Sequence, residues 1–360
     1  MLRFVAAAMV VFMHAGCYAL STGRGECPTF KPTVIGAAGV DIFFVLSGFV
    51  IALTGPLATP RPSGALFFWR RWSRVAPVFY LLSIPFILIA IATGNFNLPR
   101  TVATFLFWPA AGPHIVAPFI EAGWTLGFEM LFYSAVAVVL IGGKLRRNLI
   151  VLGVLMAALC AARLVSGWNP LRVVANPILL EFGFGVAMAA IWPRLRGADL
   201  RLGLGLIGVA LAALVTEAIV GAGGAPFYEA TQSGAGSLWR VAVFGIPAAA
   251  LVAGASICDR AISGPISRAA AWLGDASYSI YLSNGFSVPL VALIWIRAFG
   301  RSAPLPMGLS IFFGAIAVGA LTYVVVERPI VRDLKRVRFG RPVAIPPAAG
   351  PLEAAPAPRL

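Results

Sequence analysis

Long apolar runs alternate with short polar segments along the whole chain. Runs at about 2–20, 35–54, 76–93, 124–142, 149–165, 173–192, 202–220, 239–256, 271–296 and 306–326 are each of membrane-crossing length. About 18 or more apolar residues in a helix cover the ~30 Å hydrocarbon core of a bilayer. Two of the longest stretches, Val241–Cys258 and Met307–Val326, carry no formal charge, and Leu202–Val220 carries only Glu217. Segment 101–110 (TVATFLFWPA) is apolar but too short to span, and is expected at the interface or as a re-entrant piece. The first run follows Met1–Leu2–Arg3 as a signal peptide would. His14 inside it, and the further spans behind it, make it the first membrane helix instead.

The pattern predicts an all-α polytopic membrane protein of about ten transmembrane helices. Composition agrees: 60% of the 360 residues are hydrophobic, 11% are charged, and the mean hydropathy is +0.91. A soluble domain of that length needs far more charge to cover its surface. The net charge of +15 would point to nucleic acid in a soluble protein. Here the basic residues sit between apolar runs, so no nucleic-acid partner is implied and the lipid bilayer is the expected partner. With the N-terminus in the cytoplasm, twenty of the 28 Lys and Arg residues fall on the cytoplasmic side. An even number of spans returns the C-terminus there. Residues 1–335 are read as one membrane domain and 336–360 as a disordered cytoplasmic Pro/Ala-rich tail. Four cysteines and two histidines offer no metal-ligand spacing, so no metal site is expected. Cys17 and Cys27 both fall near the outer face, and free thiols are the expectation for them.

Ionisable side chains inside spans are costly in lipid and mark function by default. Arg3 and His14 in the first span, Asp41 in the second, Glu129 in the fourth and Glu181 in the sixth are the candidates. Glu217, Arg240 and Asp275 lie closer to helix ends, where they reach the interface. Counting residues from the helix starts puts His14, Asp41, Glu129 and Glu181 at comparable depth, a convergence that resembles a site. Arg3 and His14 are three turns apart on one face, roughly 16 Å along the axis. Such a helix would link an anionic ligand at the cytoplasmic boundary to a reaction centre further out. Arg71 and Arg74 are neighbours on one helical face and suit phosphate, although basic clusters also serve as topological anchors. His114 in the outer loop AGPHIVAPF carries little functional weight, and Tyr278 and Tyr281 in SYSIYL are as well suited to packing as to binding.

The residues resemble the membrane-bound acyltransferase 3 family, whose members include O-antigen, exopolysaccharide and nodulation-factor O-acetyltransferases. The resemblance rests on RFVAAAMVVFMHA, with ten residues between Arg3 and His14, and on GVDIFFVLSGFVI (39–51). It continues through RRWSRVAPVFY (70–80), WTLGFEMLFY (124–133), NPILLEFGFGVAMA (176–189), Arg240–Gly245–Pro247 and VVVERP (324–329). It implies a bacterial inner-membrane enzyme with no bound cofactor. Its co-substrate would be acetyl-CoA or another acyl-CoA, and its acceptor a sugar hydroxyl of an envelope or exported glycan, free or lipid-linked. On that reading His14 and Glu129 are catalytic, with Glu129 supporting the imidazole. Arg3, Arg71, Arg74, Asp41, Glu181 and Tyr278 bind substrate. Two features depart from the pattern. Family members often carry Leu-Asp-Gly-Leu before the first-helix arginine, and often a histidine near the position of Asn284. The expected chemistry is general-base transfer by His14, since imidazole titrates near working pH. A glycan transporter or flippase is the alternative from another class.

Overall fold

A computed structural model describes residues 1–20, 35–109, 116–144, 168–220, 237–259, 264–301 and 303–336, with isolated residues between 147 and 162. His114, Cys27, Cys160 and the tail beyond 336 lie outside the described residues, as does most of the expected span 149–165. The described residues are mostly helical and contain no strand. Among them, nine helices are long and apolar enough to cross a membrane. The chain is an all-α, multi-pass membrane protein.

The helices in order are α1 (Leu2–Leu20), α2 (Ala38–Thr54), α3 (Gly64–Ala92), α4 (Leu98–Phe105) and α5 (Trp124–Val139). They continue with α6 (Asn169–Val174), α7 (Leu179–Leu195), α8 (Leu200–Val220), α9 (Ser237–Cys258), α10 (Pro265–Phe299), α11 (Pro304–Thr322) and α12 (Arg328–Arg336). Single 3-10 turns, Ile35–Ala37 and Glu121–Gly123, lead into α2 and α5. A π-helical turn at Val241–Gly245 interrupts α9, and another at Tyr323–Glu327 joins α11 to α12. Lipid-facing side chains such as Leu88, Ile89 and Ile91 are more than half exposed. Such a surface suits hydrocarbon and not water.

Two boundaries differ from the sequence reading. α3 begins at Gly64, twelve residues before the expected start, because Ser63 caps it by accepting a hydrogen bond from the Leu66 amide (3.2 Å). Pro77 therefore sits inside the helix rather than at its first turn, and Arg70, Arg71 and Arg74 are helical. The short apolar segment forms α4, capped by the Asn97 side chain, which accepts from the Arg100 amide (3.0 Å). Cys17 is disulfide-bonded, which corrects the expectation of a free thiol there. Cys258 is free and buried.

α1 packs between α2, α10 and α11. Its small residues Ala6, Ala7 and Ala15 are buried, and they let neighbouring backbones come close. α2 runs antiparallel to α1 and packs along α7 on its other side. Glycine makes that second contact. A methyl group on Gly48 would lie 2.1 Å from the Phe182 carbonyl oxygen, and one on Gly185 would lie 2.1 Å from that of Val45. No side chain fits without pushing the helices apart. Gly48→Ala is therefore expected to cost about 1–3 kcal/mol by overpacking. An unfolding midpoint in detergent equal to that of the wild type would show that the helices part freely.

Candidate active site

The polar side chains predicted inside the spans fall into three groups. The first surrounds a cavity of about 280 Å³ at one end of the bundle. His14 lines it from α1, Val40 from α2, Glu121 and Trp124 from the start of α5, Arg240 from α9, and Tyr281 and Asn284 from α10. His14 is half-buried. No described residue hydrogen-bonds either of its ring nitrogens. Tyr281 is fixed, its hydroxyl donating to the Ala122 carbonyl (3.0 Å) and lying 3.0 Å from the Thr125 hydroxyl. The Asn284 amide donates to the Tyr281 carbonyl (2.6 Å).

The second group lines a cavity of about 30 Å³, the room of roughly one water molecule. Arg3, Arg71, Arg74, Glu129, Tyr133 and Tyr278 surround it, with Ser47 and Val50 from α2. The Arg3 guanidinium donates to the Ser277 hydroxyl (3.2 Å), and that of Arg71 to Thr54 (2.5 Å). Glu129 accepts from Ser47 (3.0 Å) and from the Tyr133 hydroxyl. The Tyr278 hydroxyl donates to the Val75 carbonyl (2.8 Å). Glu327 lies near Arg3 and Arg74 and accepts from Ser279 (2.6 Å). Three arginines thus meet with two carboxylates nearby.

The third group is a buried ion pair beside the first cavity. Arg240 donates from Nε and Nη2 to the two Asp41 oxygens (2.9 and 2.7 Å) and from Nη2 to the Ala37 carbonyl (3.1 Å). Glu181 faces the same pair, and among the described residues neither of its oxygens takes a well-formed hydrogen bond. Arg240 does not reach the interface, as its sequence position near a helix end led us to expect. The π turn that begins at Val241 follows it directly, and the side chain is only 3% exposed.

The expected convergence of four polar groups at one depth therefore resolves into separate places. Asp41 and Glu181 come together with Arg240, His14 lines the cavity next to them, and Glu129 lies with the arginines. The reason is the unequal height at which helices start. Val40 shares a cavity with Trp124 and Ser47 with Glu129. Ser47 is six residues beyond Asp41 on α2, so Glu129 lies nearly two turns, roughly 9 Å, beyond the level of Asp41. The two cavities stack along α1, α2, α5 and α10. Arg3 and His14 are roughly 16 Å apart along α1. On α10, Tyr278 faces one cavity and Tyr281 the other, one helical turn apart. Glu121, Ser47, Tyr133 and Glu327 were not predicted. Ser47 and Tyr133 carry no charge, and Glu121 falls outside the spans read from the sequence.

The profile of the acyltransferase 3 domain, described as "Acyltransferase domain", matches residues 1–324. The chain belongs to the acyltransferase 3 family. A membrane acyltransferase is what this architecture represents. Among relatives of this acyltransferase, the exopolysaccharide production protein ExoZ of Rhizobium meliloti (strain 1021) is 34% identical over 83% of this chain and 90% of its own length. Nodulation protein 10 of Rhizobium leguminosarum bv. viciae is 25% identical over 92% of each chain. Acyltransferase MdmB of Streptomyces mycarofaciens is 26% identical over 88% of this chain and 85% of its own. No solved structure matches this acyltransferase significantly.

Proposed function

We propose that the protein is an O-acyltransferase of the bacterial inner membrane. It moves an acetyl or similar short acyl group from acyl-CoA to a hydroxyl of an envelope or exported glycan. The observation that carries this reading is the stacking of two unlike cavities on the same helices. One presents Arg3, Arg71 and Arg74, and the other an imidazole whose nitrogens no described residue hydrogen-bonds. The arginines suit the phosphates of coenzyme A, since guanidinium pairs with phosphate through charge-assisted bonds. The small arginine cavity requires that these side chains move aside or bind at its mouth. A relative named for exopolysaccharide production and another for nodulation favour a glycan acceptor.

In the reaction, the acceptor oxygen attacks the thioester carbonyl while His14 takes its proton. The tetrahedral intermediate collapses, the carbon–sulfur bond breaks, and the proton passes from the imidazolium to the leaving thiolate. Glu129 supports the donor side: bonded to Ser47 and Tyr133 beside the arginines, it holds their charge in place. Asp41 and Glu181 act on the acceptor side by fixing Arg240. Tyr278 lines the arginine cavity, on the donor side.

Membranes containing the protein should transfer radiolabel from acetyl-CoA into glycan, and membranes without it should not. If neither acetyl- nor succinyl- nor propionyl-CoA labels glycan, while unmodified glycan crosses the membrane in a protein-dependent way, the transporter reading replaces this one. Arg71→Ala or Arg74→Ala, each alone, is expected to raise the donor KM about tenfold to a hundredfold. Each lost charge-assisted bond is worth about 1.5–3 kcal/mol. An unchanged donor KM in both variants would place the coenzyme elsewhere.

A further inference from the structure

The larger cavity has an unequal charge balance. Arg240 is neutralised by Asp41 through two hydrogen bonds. Glu121 is the other formally charged residue on the wall. Its side chain is exposed at the cavity and close to Tyr281, and no described residue hydrogen-bonds it. Among the described residues, no counter-charge for Glu121 lines the cavity. His14 and Glu121 share the cavity with an indole, that of Trp124.

The segment that presents Glu121 is built rather than loose. The Thr104 hydroxyl accepts from the Phe119 amide (3.0 Å), and Arg100 donates to the Pro118 carbonyl (3.3 Å). The Arg100 guanidinium lies 5.0 Å from the centre of the Phe119 ring. Ile120 is buried, and Gly123 packs so closely on the Phe79 ring that a methyl group there would lie 2.5 Å from it. The carboxylate between these anchors is therefore held at the cavity wall, where no described residue pairs with it. A carboxylate with four acceptor sites and no donor suits adjacent hydroxyls of a sugar ring. It also repels carboxylated or phosphorylated sugars, for whose charge the described wall offers no unpaired cation.

We propose that the His14 cavity is the acceptor subsite and that Glu121 selects an uncharged, hydroxyl-rich pyranose over an anionic one. This rests on the reading of His14 as the base for an acceptor hydroxyl. Two soluble probes, methyl β-D-glucopyranoside and methyl β-D-glucuronide, test it as acceptors and as competitors of labelling of membrane glycan by acetyl-CoA.

In the wild type the glucoside should be used or should compete, and the glucuronide should do so at least about tenfold less well. Glu121→Gln should raise the acceptor KM or inhibition constant for the glucoside about tenfold, the worth of one hydrogen bond to a charged group. The same variant should narrow the discrimination against the glucuronide, and should leave the donor KM unchanged. A cavity with only a structural role for Glu121 would shift donor and acceptor constants together through lost folded protein. The proposal is overturned if the glucuronide matches the glucoside, or if Glu121→Gln leaves both acceptor constants unchanged. It is also overturned if neither probe engages while membrane glycan is labelled. Labelling that persists in His14→Ala would instead remove the role of His14, a distinct failure.

Discussion

Replacing His14 with alanine is expected to lower acyl transfer by about 10²–10⁴-fold, the usual contribution of a positioned general base. The donor KM should stay within about twofold, because no donor contact is lost. Both halves follow from the geometry. The imidazole borders a cavity of about 280 Å³ and is hydrogen-bonded by no described residue. Truncation therefore breaks no hydrogen bond to a described residue, and membranes should contain normal amounts of folded protein. The arginines proposed to hold the donor line a separate cavity, and Arg3 lies roughly 16 Å away along α1. A purely structural histidine would behave in the opposite way, with folded protein lost and turnover per folded molecule retained. Radiolabel transfer from acetyl-CoA, normalised to folded protein by size-exclusion chromatography, separates the two. Turnover within tenfold of the wild type would reject His14 as the base.

The bundle was legible in the sequence because lipid leaves few choices. Backbone groups must bond within each segment, so a long apolar run can only be a helix. The polar residues that matter were legible for the same reason, since charge inside such a run has to be compensated. Their partners were not. Depth counted from the first apolar residue treats every helix as starting at one level. α2 and α5 do not, and Glu129 meets Ser47, nearly two turns beyond Asp41. Arg240 looked interfacial because it stands four residues into α9, yet neighbouring helices cover that end and the π turn follows it directly. Hydropathy along a chain reports the solvent of a segment and says nothing about which other segment covers it. The start of α3 was set by a cap that hydropathy does not register. Proline favours a helix start in general, but the Ser63 cap had already begun α3 thirteen residues before Pro77. Glu121 was invisible because its significance lies in its place on the cavity wall with no described residue paired to it, which only the assembled cavity reveals.

The buried ion pair gives the second large effect, and it is expected to be asymmetric. Asp41 and Glu181 are both fully buried, and Arg240 is their shared cation. Arg240→Ala would leave two carboxylates facing each other with no positive charge. Removing one partner of a buried pair costs about 3–5 kcal/mol, a large fraction of a typical stability of roughly 5–15 kcal/mol. Asp41→Ala is expected to cost less. Glu181 lies beside the guanidinium with neither oxygen well bonded, so it can replace the missing carboxylate. The double variant Asp41→Ala with Glu181→Ala removes that substitute, and should be about as damaging as Arg240→Ala. Unfolding midpoints in detergent, measured for the three variants, test the order. Equal damage from Asp41→Ala and Arg240→Ala would mean that Glu181 cannot move onto the guanidinium. A wild-type midpoint for Arg240→Ala would mean that the pair contributes no stability. The order also bears on catalysis, because Arg240 forms part of the wall facing His14. A variant whose guanidinium is still held by Glu181 should keep that wall, and so lose less activity than one without the guanidinium.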